Sequence, residues 1–411
     1  MHSQRFVQQV FVPNKPVQER SVRRKSATHC RMSPRFFILA SLVPALLLAG
    51  CGKFFPPLSS TGTGSGSGSG TSSVGDYLYA GNLGTNPLSI AGFVLANSAL
   101  STITGSNWSV SLEPTALAVT PDDSYLYMGS AAGGIYVFTI GSSGALTLAN
   151  NGAPVATGVE PVVLRVDPTG KFLLGADAFA GEAYVFQIGT GGALTSINSS
   201  LVTLNASVAA TDLEIAPSGS YVFVSCGTAG IYSLSFNTTT GALAQINNPL
   251  APKQTADADY GMAIAPSGGY LFAAETGISA VRVFSISTSG VLTEVSGSPY
   301  STGTGPYAVL VDSTGSYVYV TNRTDGTISG FLLSGTGALT AISGSPFSTG
   351  KLPSAMVEDK TDTYIAVLNA GGSSDMQIFK FNATTAGALT SFATATTGTD
   401  PTDAISLAAT H

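Results

Sequence analysis

The sequence predicts an all-β fold, a seven-bladed β-propeller of four-stranded antiparallel blades, and three observations carry that prediction. An apolar octet recurs seven times at intervals of 47–49 residues, each interval holds four short strand-like runs, and the first and last repeats are complementary fragments of one unit. Composition agrees. A chain of 411 residues is long for a single core, and with 48 glycines and only 10% charged residues it is unsuited to coiled coils or long surface helices.

The octet opens each repeat as the first strand. It reads Pro114-Thr-Ala-Leu-Ala-Val-Thr-Pro121, then Pro161-Val-Val-Leu-Arg-Val-Asp-Pro168, Ala210-Thr-Asp-Leu-Glu-Ile-Ala-Pro217 and Asp259-Tyr-Gly-Met-Ala-Ile-Ala-Pro266. Pro306-Tyr-Ala-Val-Leu-Val-Asp-Ser313, Pro353-Ser-Ala-Met-Val-Glu-Asp-Lys360 and Pro401-Thr-Asp-Ala-Ile-Ser-Leu-Ala408 complete the set. A turn such as Pro217-Ser-Gly219 follows, with proline presetting φ and glycine supplying the left-handed position. The second strand is aromatic, as in Tyr125-Leu-Tyr127, Tyr221-Val-Phe223, Tyr270-Leu-Phe272 and Tyr317-Val-Tyr319. A polar loop leads to a third strand, such as Ile135-Tyr-Val-Phe-Thr-Ile140, and a Gly-Ala-Leu motif (Gly144, Gly192, Gly241, Gly337 and Gly387) opens the outer, fourth strand.

The termini complete the argument. The repeat region begins in a second strand, Asp76-Tyr77-Leu78-Tyr79, and ends at Ala408 after a first strand only, so residues 401–408 are expected to pair with residues 77–103. Such pairing closes a ring and removes the exposed edges that a linear stack would leave.

Blades of this form, ending in Gly-Ala-Leu-Thr and with Tyr319-Val-Thr-Asn322 standing literally, resemble the lactonase-type seven-bladed propellers, the family that includes bacterial 6-phosphogluconolactonases and the Tyr-Val-Thr-Asn repeat propellers. The resemblance spans residues 76–411. Its motifs build blades, so it implies fold strongly and activity weakly.

Ahead of the repeats lies an envelope address. Met32-Ser-Pro-Arg35 followed by the apolar run 36–48 suits a secretory signal and is short for a span of a ~30 Å hydrocarbon core. It ends in Leu48-Ala49-Gly50-Cys51, which resembles the lipobox of bacterial lipoproteins. That resemblance implies lipid on Cys51, membrane attachment through it, and, with Gly52 next, the outer membrane. Residues 1–31 then read as a leader or a mis-called upstream start, 32–50 as the signal peptide, and 51–75 as a lipidated cysteine and a Gly/Ser-rich tether of about 25–30 Å. From Gly52 onward nine Lys/Arg face 22 Asp/Glu, a net charge of −13 that repels nucleic acid. Cys226 has no partner in the mature chain and is expected as a small buried hydrophobe.

Two charged residues interrupt the otherwise small and apolar first strands. Arg165 and Glu214 hold the same repeat position in consecutive blades, where the others carry Ala118, Ala263, Leu310, Val357 and Ile405. Asp212 lies on the same side of its strand, and Asp403 takes Asp212's position in the closing repeat. An unpaired charge near the axis is costly, so Arg165 and Glu214 are expected as an inter-blade ion pair, or as a guanidinium and carboxylate contacting a ligand. A second group comes from the loops on one face: Asn82, Asn86, Asp177, Glu182, Glu275, Asn322, Arg323, Asp325, Asn369 and Asp375, with Tyr260 and Tyr307 opening two first strands. Aromatics beside amides and carboxylates suit a sugar or other polar small molecule.

Lactone hydrolysis needs a base to activate water and donors for the oxyanion. No histidine stands between Gly52 and Thr410, and the His/Arg/Glu group that the resemblance implies for lactonizing relatives cannot be mapped here. A carboxylate base, Glu182 or Glu214, with Arg165 or Arg323 is the remaining arrangement. A phosphorylated sugar lactone fits poorly with so acidic a domain. The sequence therefore points first to an envelope-anchored, monomeric binding or scaffold module for a glycan, peptide or partner protein, using no cofactor or metal; a lactone hydrolase is the alternative.

Overall fold

The computed structural model describes residues 76–411 apart from 84–87, 97–98, 179–180, 198–200, 205–208, 252–258, 373 and 399–402. The leader, the signal and Cys51 lie outside the described residues. Seven antiparallel sheets stand in a ring; in six the strands follow chain order from the axis outward, and in the seventh the C-terminal strand lies inside the first three. The inner strands are Pro114–Val119, Pro161–Val166, Asp212–Ile215, Asp259–Ile264, Pro306–Val311, Lys351–Glu358 and Asp403–Ala409. Four blades carry a fifth, two-residue strand, for example Trp108–Ser109, where the connection to the next blade pairs with the start of the third strand.

Ring closure takes the expected form. Asp403–Ala409 pairs antiparallel with Asp76–Leu83, and the Thr410 Oγ1 accepts a hydrogen bond of 2.9 Å from the Tyr77 amide. The register, however, corrects one expectation. Gly81 faces Ser406, as Ser225 faces Asp212, so Ser406 and not Asp403 holds Asp212's position; Asp403 lies three residues earlier, opposite Leu83.

The core is divided among the seven blade interfaces, with one cluster of buried residues at each. Sheets buried on both faces leave little room for charge, which is why the composition is so sparse in it. The paired motifs, an aromatic second strand and Gly-Ala-Leu, turn out to be a single joint between neighbours. The Tyr270 ring lies where a Cβ on Gly337 of the next blade would be, 2.5 Å away, and Gly337 also has φ +82°, so any side chain there meets both a clash and strain. The hydroxyls complete the joint. Tyr79, Tyr127 and Tyr319 donate to the carbonyls of Gly144, Gly192 and Gly387 at 2.8, 3.1 and 2.6 Å. Cys226 is fully buried in this packing, and burial pushes its thiol up to about 12, as expected of an inert core residue.

Candidate functional site

All seven inner strands line one axial cavity of about 560 Å³. Most of these strands carry an irregularity one residue in from the start of the octet, as between Pro114 and Ala116 or Pro306 and Val309. Such a bulge re-aims side chains near one end of the channel, and Thr115, Tyr307 and Ser354 reach the cavity there. Two of the hydroxyls are already engaged, Thr115 with the Pro161 carbonyl at 2.5 Å and Thr211 with the Ser225 hydroxyl at 2.7 Å.

Arg165, Asp212 and Glu214 form the charged corner of this cavity. Arg165 Nη2 lies 2.8 Å from Glu214 Oε1 and 3.1 Å from Asp212 Oδ1, and Nε donates to the same Glu214 Oε1 at 3.2 Å. Nη1 donates to the Leu164 carbonyl at 3.2 Å. A guanidinium has five N–H donors, so one Nη1 hydrogen remains beyond these bonds. Asp212 is anchored from the far side, its Oδ2 accepting 2.7 Å from the amide of Met262 in the next blade. The expected inter-blade pair is therefore present, extended to a third member and a third blade.

The corner is partly sheltered from solvent. The Arg165 side chain is 38% exposed and that of Glu214 21%. Burial raises the Glu214 carboxyl to about 7, with Arg165 opposing the shift and Asp212 adding to it. Asp212 is raised too, by burial, against the pull of Arg165 and the Met262 and Leu213 amides. Burial thus shifts a carboxyl toward neutral pH beside a fixed cation, the direction a general base requires.

The loop candidates are distributed differently. Tyr307 lines the cavity, and the Arg323 guanidinium lies over its ring at 4.9 Å. Asp177 is buried and bonded to the Glu160 and Ala178 amides. Asn322 is buried and donates to Thr327 and Ser329, and Asn82 to Ser89 and the Thr397 carbonyl. Glu275 is buried within its blade against Arg282 at 2.6 Å. These residues share one repeat position, the end of the second strand, and there they organise their own loops. Glu182 begins a third strand, away from the cavity lining. Tyr260 and Asp403 have strand positions only, and their side chains, like Asn86, lie outside the described residues. What sequence reasoning missed is the apolar part of the lining, including Leu310 and Met356; their repeat positions, shared with Arg165 and Leu164, could have pointed to it.

A family model described as Lactonase, 7-bladed beta-propeller, matches residues 78–211 and 297–405. No curated protein matches the sequence. Among solved structures, a putative 6-phosphogluconolactonase from Bacteroides fragilis superposes with a TM-score of 0.67 at 19% identity, over 84% of this chain and 100% of that one. Its counterpart from Bacteroides uniformis gives 0.66 at 18%, over 78% and 95%. A periplasmic gluconolactonase from Pseudomonas aeruginosa gives 0.67 at 15%, over 82% and 99%. At such identities these likenesses show the fold. With the family model covering more than half of its length, the chain belongs to the lactonase family of seven-bladed β-propellers.

Proposed function

We propose that the axial cavity hydrolyses a lactone, with Glu214 as general base and Arg165 as the electrostatic partner of the carbonyl. The observation that carries this reading is the Glu214 carboxyl, raised to about 7 and paired with Arg165 on the cavity wall. Both bonds from Arg165 fall on Oε1, so Oε2 is the oxygen that takes a proton from water as that water attacks the lactone carbon. The remaining Nη1 hydrogen of Arg165 meets the charge developing on the carbonyl oxygen. The ring C–O bond then breaks, and the ring oxygen recovers the proton from Glu214 to give a hydroxy acid. The acid releases its remaining proton to solvent, and the resulting carboxylate is repelled by Asp212 and Glu214, which favours release.

Family membership supports this reading over the binding module first suggested by the missing histidine, since the raised carboxyl supplies the neutral-pH base that histidine would have provided. The test is turnover of a panel of lactones by wild type and Glu214→Gln. We expect the rate to rise with pH through about 7 as Glu214 ionises, and the variant to lose about a hundredfold or more. Equal rates in both proteins, or binding without turnover across the panel, would return the cavity to the binding role, with a glycan, peptide or partner protein as its ligand.

We further propose that lipid on Cys51 holds the propeller at the outer membrane by the Gly/Ser tether, as the Leu48-Ala49-Gly50-Cys51 motif suggests. Labelled palmitate should enter the wild type and not Cys51→Ser; equal labelling excludes this anchor.

A further inference from the structure

The cavity has two unlike walls. Among the described residues its charge lies in two adjacent blades, in Arg165, Asp212 and Glu214, which sum to one negative charge once Glu214 ionises. Three and four blades further round the ring, the wall is aliphatic. Leu310 and Met356 stand there half-buried, flanked by Ile264 and Leu407 from two other blades, while Val162 adds apolar surface on Arg165's own strand. Leu164 and Leu213, also on innermost strands, are 1% and 0% exposed, so what sets Leu310 and Met356 apart is their partial exposure at the cavity. The aliphatic lining keeps apolar surface open at the cavity that a ligand can cover.

From this asymmetry we infer that the substrate is an uncharged lactone carrying an aliphatic chain, the ring at the Arg165–Glu214 corner and the chain on the Leu310–Met356 wall. The inference rests on the hydrolase reading and adds the substrate class. A phosphorylated lactone would bring its dianion into a cavity where, among the described residues, Arg165 is the one lining cation and is already matched by two carboxylates. A polyhydroxylated ring would find the Thr115 and Thr211 hydroxyls already engaged by the blades themselves, which leaves Tyr307, Ser354 and Ser406 as the other hydroxyl-bearing residues of the described lining. At about 560 Å³ the cavity falls within the usual range for small-molecule sites, roughly 300–1,000 Å³, and can take a ring with a substituent.

The experiment measures binding to the wild-type protein of δ-lactams, which mimic the lactone ring without being opened, in a series from unsubstituted to heptyl. The 6-phosphorylated and unphosphorylated gluconolactams serve as competitors. Affinity should rise roughly threefold to fourfold per methylene until the wall is covered, with the phosphorylated probe weakest. Leu310→Asn should flatten the series, and Met356→Thr gives a second reading if the first variant fails to fold. A flat wild-type series, no binding of any alkyl lactam, or tighter binding of either gluconolactam overturns the inference. If a gluconolactone is nonetheless turned over, the hydrolase reading survives that failure; a steep lactam series without turnover of the matching lactones sinks the hydrolase reading and leaves the ligand class standing.

Discussion

The described residues include two clusters of one arginine and two carboxylates, and their surroundings set them apart. Arg165 with Asp212 and Glu214 joins two inner strands and opens on the axial cavity; Arg282 with Glu275 and Glu294 lies inside one blade. The Arg165 side chain is 38% exposed and that of Arg282 only 4%, stacked at 4.6 Å on the Phe284 ring. Arg282 donates to Glu275 at 2.6 Å, to Glu294 at 3.1 Å and to the Ala251 carbonyl at 3.1 Å, and Ser298 further ties down Glu294. Chemistry that is nearly identical in composition thus forms a sealed structural knot in one place and an accessible corner in the other. Charge count alone does not make a site; access does.

Replacing Arg282 by Met should produce the largest effect on stability. It takes from the buried Glu275 the guanidinium bonded at 2.6 Å, and breaking such a pair costs about 3–5 kcal/mol, visible as a lower midpoint in denaturant. Activity per folded molecule should be unchanged. A loss of turnover without a loss of stability would erase the distinction between the two clusters.

Arg165→Met should show the converse. Because solvent reaches this guanidinium, we expect a cost of about 1–2 kcal/mol, between the surface and the buried range, together with loss of lactone turnover. Altered melting with unchanged turnover and ligand affinity would reduce the corner to a second structural knot.

The smallest effect is on stability against pH. Asp76, Glu214 and Glu358 are each raised to about 7, all by burial first; Asp359 adds to the shift at Asp76, and at Glu358 the Ser313 amide opposes it while Asp312 adds to it. A carboxyl that holds its proton more tightly folded than unfolded stabilises most below the unfolded value near 4, and that contribution is lost as pH rises through about 7. The melting temperature should therefore fall between about pH 5 and 8, and Glu214→Gln should lessen the fall. A flat or rising profile over that window, measured by calorimetry, would contradict the assignment of Glu214 as a sheltered base.

Much of this was legible in the chain. Equal repeat positions brought Arg165 and Glu214 together because neighbouring blades present equivalent residues side by side, and the Tyr and Gly-Ala-Leu motifs recur since each blade must lock onto the next. Asp177, Glu275 and Asn322 were not legible as loop organisers: polar residues at a strand end look the same in sequence whether they face solvent or their own loop. The same holds for Leu310 and Met356, whose apolar character reads as core in a strand that in fact borders a cavity.

What the sequence determined by itself is what depends on local pattern: strand alternation, turn residues, seven repeats and the complementary ends that close them. Tertiary structure decided what depends on distant partners. The closing strand takes its register from Asp76–Leu83, more than 300 residues away, so Ser406 rather than Asp403 arrives beside the channel. Period-two alternation cannot by itself choose between registers, and only the packed ring reveals which of two arginine clusters is sealed and which is open.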